Sequence, residues 1–300
     1  MEHGLSRKAC LSLASEQSLK IVIDTNAHWT PGQHVFLRFL TMGVHALTAH
    51  PFTISSVPRP GKDRNRMVFY VEPRGGLTGR LAKLAEKEPN VAIPVLIDGP
   101  YSGIPGRWFL GFDKSLVIAG GAGAGFTLAL IEHFLISQVN GSGKSELIVV
   151  IATRDLRMRE WYIEALNELV ESGSSARAAP SISIHVHETG TVTSSLGDGE
   201  PKIGLTEADD KERASAATAD SNNVGVSKPF EVEFSRGRPD LQTVVRDLVN
   251  QRGASVGMVV CGPSSMVHDM GETATIAQKK ILKGDQDGAR EVWLHHESFS

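Results

Sequence analysis

Three hundred residues with a net charge of −3 allow one large domain or two ordinary ones and carry no general attraction for nucleic acid. The two cysteines, Cys10 and Cys261, lie too far apart in sequence to mark a disulfide framework or a cysteine zinc site, and they suit a reducing compartment. Residues 1–30 hold no apolar core of signal-peptide length. Residues 115–131 carry no charge, but glycines interrupt them and they fall short of the ~20 residues of a span. The expectation is therefore no membrane anchor and, for this chain alone, a cytoplasmic location.

In chain order, residues 19–109 read as β-rich. Strands are expected at 19–23, 35–40, 67–72 and 91–97, with a turn at Trp29–His34 and another at Pro58-Arg59-Pro60-Gly61. Pro94 lies inside the last of these runs and points to an edge strand or a bulge. A helix over 78–88 places Leu81, Leu84 and Ala85 on one face. Short strands between turn clusters suggest a small antiparallel β-barrel over 1–109.

From Leu116 the pattern changes to alternating strand and helix: strands at 116–119, 146–151, 182–186, 256–261 and near 291–294, with helices after the first two. A further helix carries Leu241, Val244, Val245 and Leu248, and Asp240 is placed to cap it. That alternation means a doubly wound parallel α/β sheet over 110–300. Residues 188–228 are rich in Gly, Ser, Thr, Ala and Asp and nearly lack aromatics. They read as a disordered insertion, because they cannot bury enough apolar surface to offset the entropy of ordering.

Five groups of residues could carry chemistry. His50-Pro51-Phe52-Thr53 ends a strand with polar and planar groups that suit a flat aromatic cofactor, although a plain core strand would read the same way. Gly76, Leu77 and Thr78 open a helix after glycines, an anion site by geometry and dipole or else an ordinary cap. Gly120, Gly121, Gly123, Gly125 and Thr127 lie between a strand and a helix, the setting of a dinucleotide pyrophosphate loop. Arg154 and Asp155 end the next strand; an arginine there suits a 2′-phosphate, a carboxylate suits a ribose hydroxyl, and an ion pair of Arg154 with Asp155 or Glu160 is the alternative. Arg236 and Arg238 are placed to join the phosphate. Cys261-Gly262-Pro263 closes a strand at the ligand edge, where a thiol either touches a nicotinamide or is a small buried hydrophobe. The spacings of His185 with His187 and of His295 with His296 put no ligand set on one helix face, so no metal site is expected.

These motifs, with Pro31-Gly32-Gln33-His34, Asp98-Gly99-Pro100-Tyr101, Gly237-Arg238-Pro239-Asp240 and Glu297-Ser298-Phe299, form an ordered set. The set resembles the cytosolic flavin and nicotinamide region of fungal ferric reductases, kin of the NADPH oxidases within the ferredoxin–NADP reductase superfamily. The resemblance implies FAD on His50, Pro51, Phe52 and Thr53, with its pyrophosphate near Gly76, Leu77 and Thr78. It implies NADPH on the second domain, with Arg154 near the 2′-phosphate and Cys261, Gly262 and Pro263 near the nicotinamide. It further implies that Phe299 lies against the flavin ring as a gate, so that Thr53, Cys261 and Phe299 touch the reacting rings.

In that family electrons pass from FAD to hemes in plasma-membrane helices and on to ferric iron, with this region in the cytosol. The helices and heme histidines have no counterpart here, and Ala122 and Ala129 stand where Ser and Pro are expected. This chain alone is accordingly expected to perform the NADPH-to-FAD half-reaction. Alternatives are an oxidase-like or soluble NADPH:acceptor reductase, or a truncated product with little activity.

Overall fold

The computed structural model of the chain describes residues 6–59, 61–139, 145–172, 181–190 and 230–297. Most of the expected insertion, 191–228, and the expected gate Phe299 lie outside the described residues.

The first domain is built from β1 (Arg7–Ser15), β2 (Ser18–Thr25), β3 (His34–Phe39), β4 (His50–Thr53), β5 (Asn65–Val71), α1 (Leu77–Lys87) and β6 (Val91–Tyr101). Its six strands run antiparallel in the order β4-β3-β6-β1-β2-β5. The Ser55 amide donates to the Val68 carbonyl at 2.8 Å, joining the two edges into a barrel. Alternation fills its inside: Ala9, Leu11, Ile21, Ile23, Val35, Leu37 and Phe69 are buried, and α1 adds Leu77, Leu81 and Ala85. Pro94 lies not at an edge but in β6, between β1 and β3. The N and C=O of one strand residue face the same neighbour, and the Pro94 carbonyl accepts from Leu40 at 3.0 Å, just past the end of β3. The missing donor therefore points where the ladder has ended.

The second domain contains α2 (Gly106–Phe109), β7 (Lys114–Gly120), α3 (Ala124–Val139), β8 (Glu146–Thr153), α4 (Met158–Ser172), β9 (Ser181–Glu188), β10 (Phe230–Arg236), α5 (Leu241–Val249), β11 (Ser255–Cys261), α6 (Ser264–Leu282) and β12 (Glu291–Glu297). All neighbours in its sheet, β10-β9-β8-β7-β11-β12, are parallel. A hydrophobic core covers each face, as a sheet wrapped by helices requires. Along β11, Val259 and Cys261 belong to one core, Met258 and Val260 to the other. Residues 188–190, expected to be the start of the insertion, belong to the fold. Glu188 ends β9, and Thr189 donates from its amide (2.7 Å) and its hydroxyl (2.9 Å) to the Thr153 carbonyl.

Candidate active site

β7 and β11 are neighbours, but the chain leaves them in opposite directions, to β8 on one side and β12 on the other. The loops at their carboxyl ends diverge and leave a crevice. Glycines line it because nothing larger fits. A Cβ on Gly120 would stand 2.9 Å from Pro263 Cδ, and one on Gly262 would stand 2.8 Å from Met266 Sδ and 3.2 Å from the Gly120 nitrogen. Gly121 has φ +57° and its open side faces only Glu72, so the short 3₁₀ turn Gly121–Gly123 leaves its backbone approachable. Gly125 is where α3 presses on the barrel: a Cβ there would meet Ser55 Oγ at 2.6 Å and Tyr70 Cβ at 3.0 Å.

A cleft of about 620 Å³ runs from this crevice between the domains. The barrel supplies Gln17, Ser18, Tyr70, Glu72 and Arg74; the α/β sheet supplies Gly120, Gly121, Thr153, Arg154, Arg238 and Pro263. Arg238 lines the same cleft as Arg154, whereas Arg236 is not in the lining. Among the described residues Arg154 forms no ion pair with Asp155 or Glu160. The Asp155 carboxylate accepts from the Ser15 hydroxyl at 2.8 Å, the Arg157 amide at 3.0 Å and Trp161 Nε1 at 3.4 Å. Two adjacent residues of opposite charge thus differ: the carboxylate accepts from three donors, and the guanidinium has no ion pair among the described residues.

The barrel also presents a flat outer face. Across β4, β3 and β6, Thr53 pairs with His34 and His34 pairs with Tyr101, while Pro51 pairs with Phe36. In-register residues share a face, so Pro51, Thr53, His34, Phe36 and Tyr101 line up on the outside. The rings of His34 and Phe36 each lie about 6 Å from that of Tyr101, which is 42% exposed. Phe52 faces the other way: it is buried against Phe39 and Phe69 and offers no face to a ligand. This corrects the expectation for Phe52; the alternation of β4 decides it. His34, Phe36 and Tyr101 were not assigned roles from sequence, since only strand register brings them beside Thr53. His50 is half-buried, with Nε2 2.9 Å from Thr48 Oγ1.

At the start of α1, Gly76 (φ +73°) occupies the cap position without a side-chain cap, so the first amides are open. Thr78 is not the cap. Its hydroxyl accepts from the Arg74 amide at 2.9 Å and folds the glycine loop back on itself. Leu77 sends its side chain into the barrel core, leaving only its backbone for an anion.

Two further expectations are corrected. Thr127 is fully buried, and its hydroxyl bonds the Ala124 carbonyl (2.7 Å) and the Tyr162 hydroxyl (2.5 Å), so it braces α3 against α4 and does not face the cleft. Cys261 is 0% exposed and lies in the core, where burial, then the nearby Glu297, raises its thiol far above the ordinary range. A neutral thiol turned inward packs as a hydrophobe. Its neighbours Gly262 and Pro263 remain at the crevice.

The domains are joined around the cleft by Tyr70 stacked on Trp161 (4.5 Å between centroids), Arg157 paired with Glu16 (3.0 Å) and Lys20 with Glu168 (3.3 Å). On α3, the Glu132 carboxylate accepts the Val57 amide at 3.0 Å. Burial pushes the Glu132 carboxyl up from 4.5 to about 7, against the opposing pull of that bond and of Arg59. Among the described residues no group of three or more His, Cys, Asp or Glu could hold a metal ion, and no helix is long and apolar enough to cross a membrane.

An antiparallel barrel joined to a doubly wound parallel sheet, with a glycine crevice at the switch point, is the two-domain architecture of ferredoxin reductase-type proteins. Solved structures share the fold. A ferredoxin NADP+ reductase from Neisseria gonorrhoeae with bound FAD and NADP aligns over 97% of this chain and 98% of its own (TM-score 0.56, 10% identity). The ferredoxin reductase in carbazole 1,9a-dioxygenase aligns over 99% and 70% (TM-score 0.54, 16% identity).

The family described as ferric reductase NAD binding domain matches residues 112–275, and an FAD-binding domain family matches residues 5–104. The chain belongs to the ferric reductase family. It is similar to a probable ferric reductase transmembrane component of Candida albicans (25% identity over 270 residues, 88% of this chain and 38% of that protein). It is also similar to ferric reductase transmembrane component 4 of Saccharomyces cerevisiae (26% over 285 residues, 87% and 37%). The chain therefore spans under two fifths of the length of these relatives. It is a flavoprotein oxidoreductase module, with FAD and a nicotinamide dinucleotide as its cofactors.

The residues present fit both groups. Gly120 and Gly262, lacking a Cβ, let the loops after β7 and β11 pack closely, Gly121 leaves its backbone approachable, and open ground lies over Gly75 and Gly76.

Proposed function

We propose that this chain takes hydride from NADPH onto FAD and passes electrons onward, in a longer protein, to a membrane heme unit and ferric iron. FAD when bound supplies the change from two-electron to one-electron transfer; the protein supplies placement and polarity. In this reading Pro51, Thr53, His34 and Tyr101 support the flavin ring. His50 and the amides after Gly76 hold its phosphates. Gly120, Gly121 and Gly262 receive the nicotinamide nucleotide. Thr53 is only two residues from Ser55, which packs on Gly125 at the start of α3, so the flavin face and the dinucleotide loop are neighbours. The membrane partner is inferred from the names of the relatives and from the share of their length that this chain spans.

The observation that carries the choice of NADPH is that Arg154 and Arg238, neither in an ion pair among the described residues, line the cleft with an Asp155 already held by three donors. A guanidinium suits the 2′-phosphate; a ribose 2′-hydroxyl would need the carboxylate. Arg154→Ala should weaken NADPH binding by about 1.5–3 kcal/mol, the range for a hydrogen bond to a charged group, and leave NADH nearly unchanged. Titration of flavin fluorescence with both nucleotides measures this, and equal losses would overturn the assignment.

A further inference from the structure

We propose that Ser15, in the barrel domain, is a specificity-determining positioning residue that keeps Asp155 from accepting a ribose hydroxyl. The proposal rests on the reading of the cleft as a nicotinamide dinucleotide site with Arg154 at the 2′-position. Ser15 lies at the β1–β2 turn, 140 positions away from Asp155 in sequence. Its hydroxyl accepts the Gln17 amide at 3.1 Å and donates to Asp155 Oδ2 at 2.8 Å. Oδ1 of the same carboxylate accepts the Arg157 amide at 3.0 Å, and the other bond to Oδ2, from Trp161 Nε1, is long at 3.4 Å. Without the Ser15 hydroxyl, Oδ2 keeps only that long bond. Asp155 itself lines the cleft beside Arg154.

Two consequences follow for a bound nucleotide. A freed carboxylate oxygen can accept from a 2′-hydroxyl, which favours the unphosphorylated nucleotide. The same charge, no longer satisfied, repels a 2′-phosphate and competes for Arg154. The bond from Ser15 therefore raises discrimination from both directions. It also places part of the nucleotide choice in the flavin domain, across the interface that Arg157 and Glu16 reinforce at 3.0 Å.

The test uses the FAD-loaded full chain and two probes, 2′-phospho-AMP and AMP, titrated by calorimetry so that turnover is not the readout. Wild type should prefer 2′-phospho-AMP. Ser15→Ala should shrink that preference on the order of tenfold, the worth of one hydrogen bond to a charged group, with AMP binding tighter in absolute terms. Ser15→Thr, which keeps the hydroxyl, should hold the wild-type ratio. In an Asp155→Asn background Ser15→Ala should leave the ratio unmoved. An unchanged ratio in Ser15→Ala overturns the proposal while leaving the Arg154 reading intact. So does an equal change in the Asp155→Asn background, which would mean a loosened domain contact. A wild type that does not distinguish the probes overturns the Arg154 reading and this proposal with it. If Ser15→Ala does not retain flavin, Ser15→Cys, near in size and a much weaker donor, reads the same ratio.

Discussion

Charge at single positions in this protein takes its meaning from neighbours contributed by the other domain. Glu132 is on α3 of the sheet domain, yet its hydrogen-bond donor is the Val57 amide of the barrel. Its pKa is raised on folding, from 4.5 to about 7. The native state thus holds the proton more firmly than the unfolded chain. The stability from this group is full below about 4.5, falls as the pH rises towards 7, and is level above. Allowing for partial exposure, the swing should reach no more than about 2 kcal/mol. Glu132→Gln keeps an acceptor for Val57 and removes the titration. Urea midpoints across that window should lose their downward slope, and a slope equal to wild type would exclude Glu132 as its origin. The sequence puts Arg154 just past a strand, and in the fold it follows β8 and lines the cleft. It assigned Phe52 and Cys261 to the cofactors because residue type alone does not show which face of a strand points inward.

Among the elements, α3 was the most legible from sequence, since a strand, a glycine run and an apolar helix leave few alternatives. Its contact with the barrel was not. Gly125 touches Ser55 and Tyr70 more closely than a Cβ permits. Gly125→Ala should destabilise the protein by about 1–3 kcal/mol through overpacking, read by denaturant unfolding of the flavin-loaded chain. A variant as stable as wild type would mean that α3 shifts freely against the barrel. α5 was equally legible: Asp240 accepts from the Thr243 amide at 3.0 Å and from its hydroxyl at 2.8 Å. Asp240→Ala should cost about 1 kcal/mol in the same assay, and no loss would show that the cap is not formed in solution. The elements missed in the sequence have weak local signals. In β1 only the small Ala9 and Leu11 alternate inward over its middle, β10 follows residues 191–229, and α6 buries only Met270, Ala274 and Ala277.

At the scale of the molecule, the cleft exists because two domains meet with Tyr70 flat on Trp161 and ion pairs to either side. A double-mutant cycle of Tyr70→Ala with Trp161→Ala should give a coupling of about 0.5–1.5 kcal/mol in stability, as stacked rings do. Zero coupling would mean that the domains do not rest on this stack. If the two cofactors meet across the cleft as proposed, NADPH added anaerobically to the FAD-loaded chain should bleach the flavin absorbance without any heme present. A flavin that stays oxidised would overturn the half-reaction.

Local sequence determined most strands and helices in their order, the glycines at the switch point and the arginine beyond β8, because period, turn chemistry and loop composition act over a few residues. From these the two-domain architecture and the kind of cofactor can be read. Only the tertiary structure decided which side chains point outward and which are buried. The register of β4, β3 and β6 turned Phe52 inward and set His34 and Tyr101 beside Thr53. Packing of α3 on α4 engaged Thr127 with Tyr162. The approach of the barrel to the sheet engaged Asp155 with Ser15 and left Arg154 lining the cleft. Each outcome depends on groups far apart in the chain, and their hydrogen bonds and burial are set only when both domains are folded against each other.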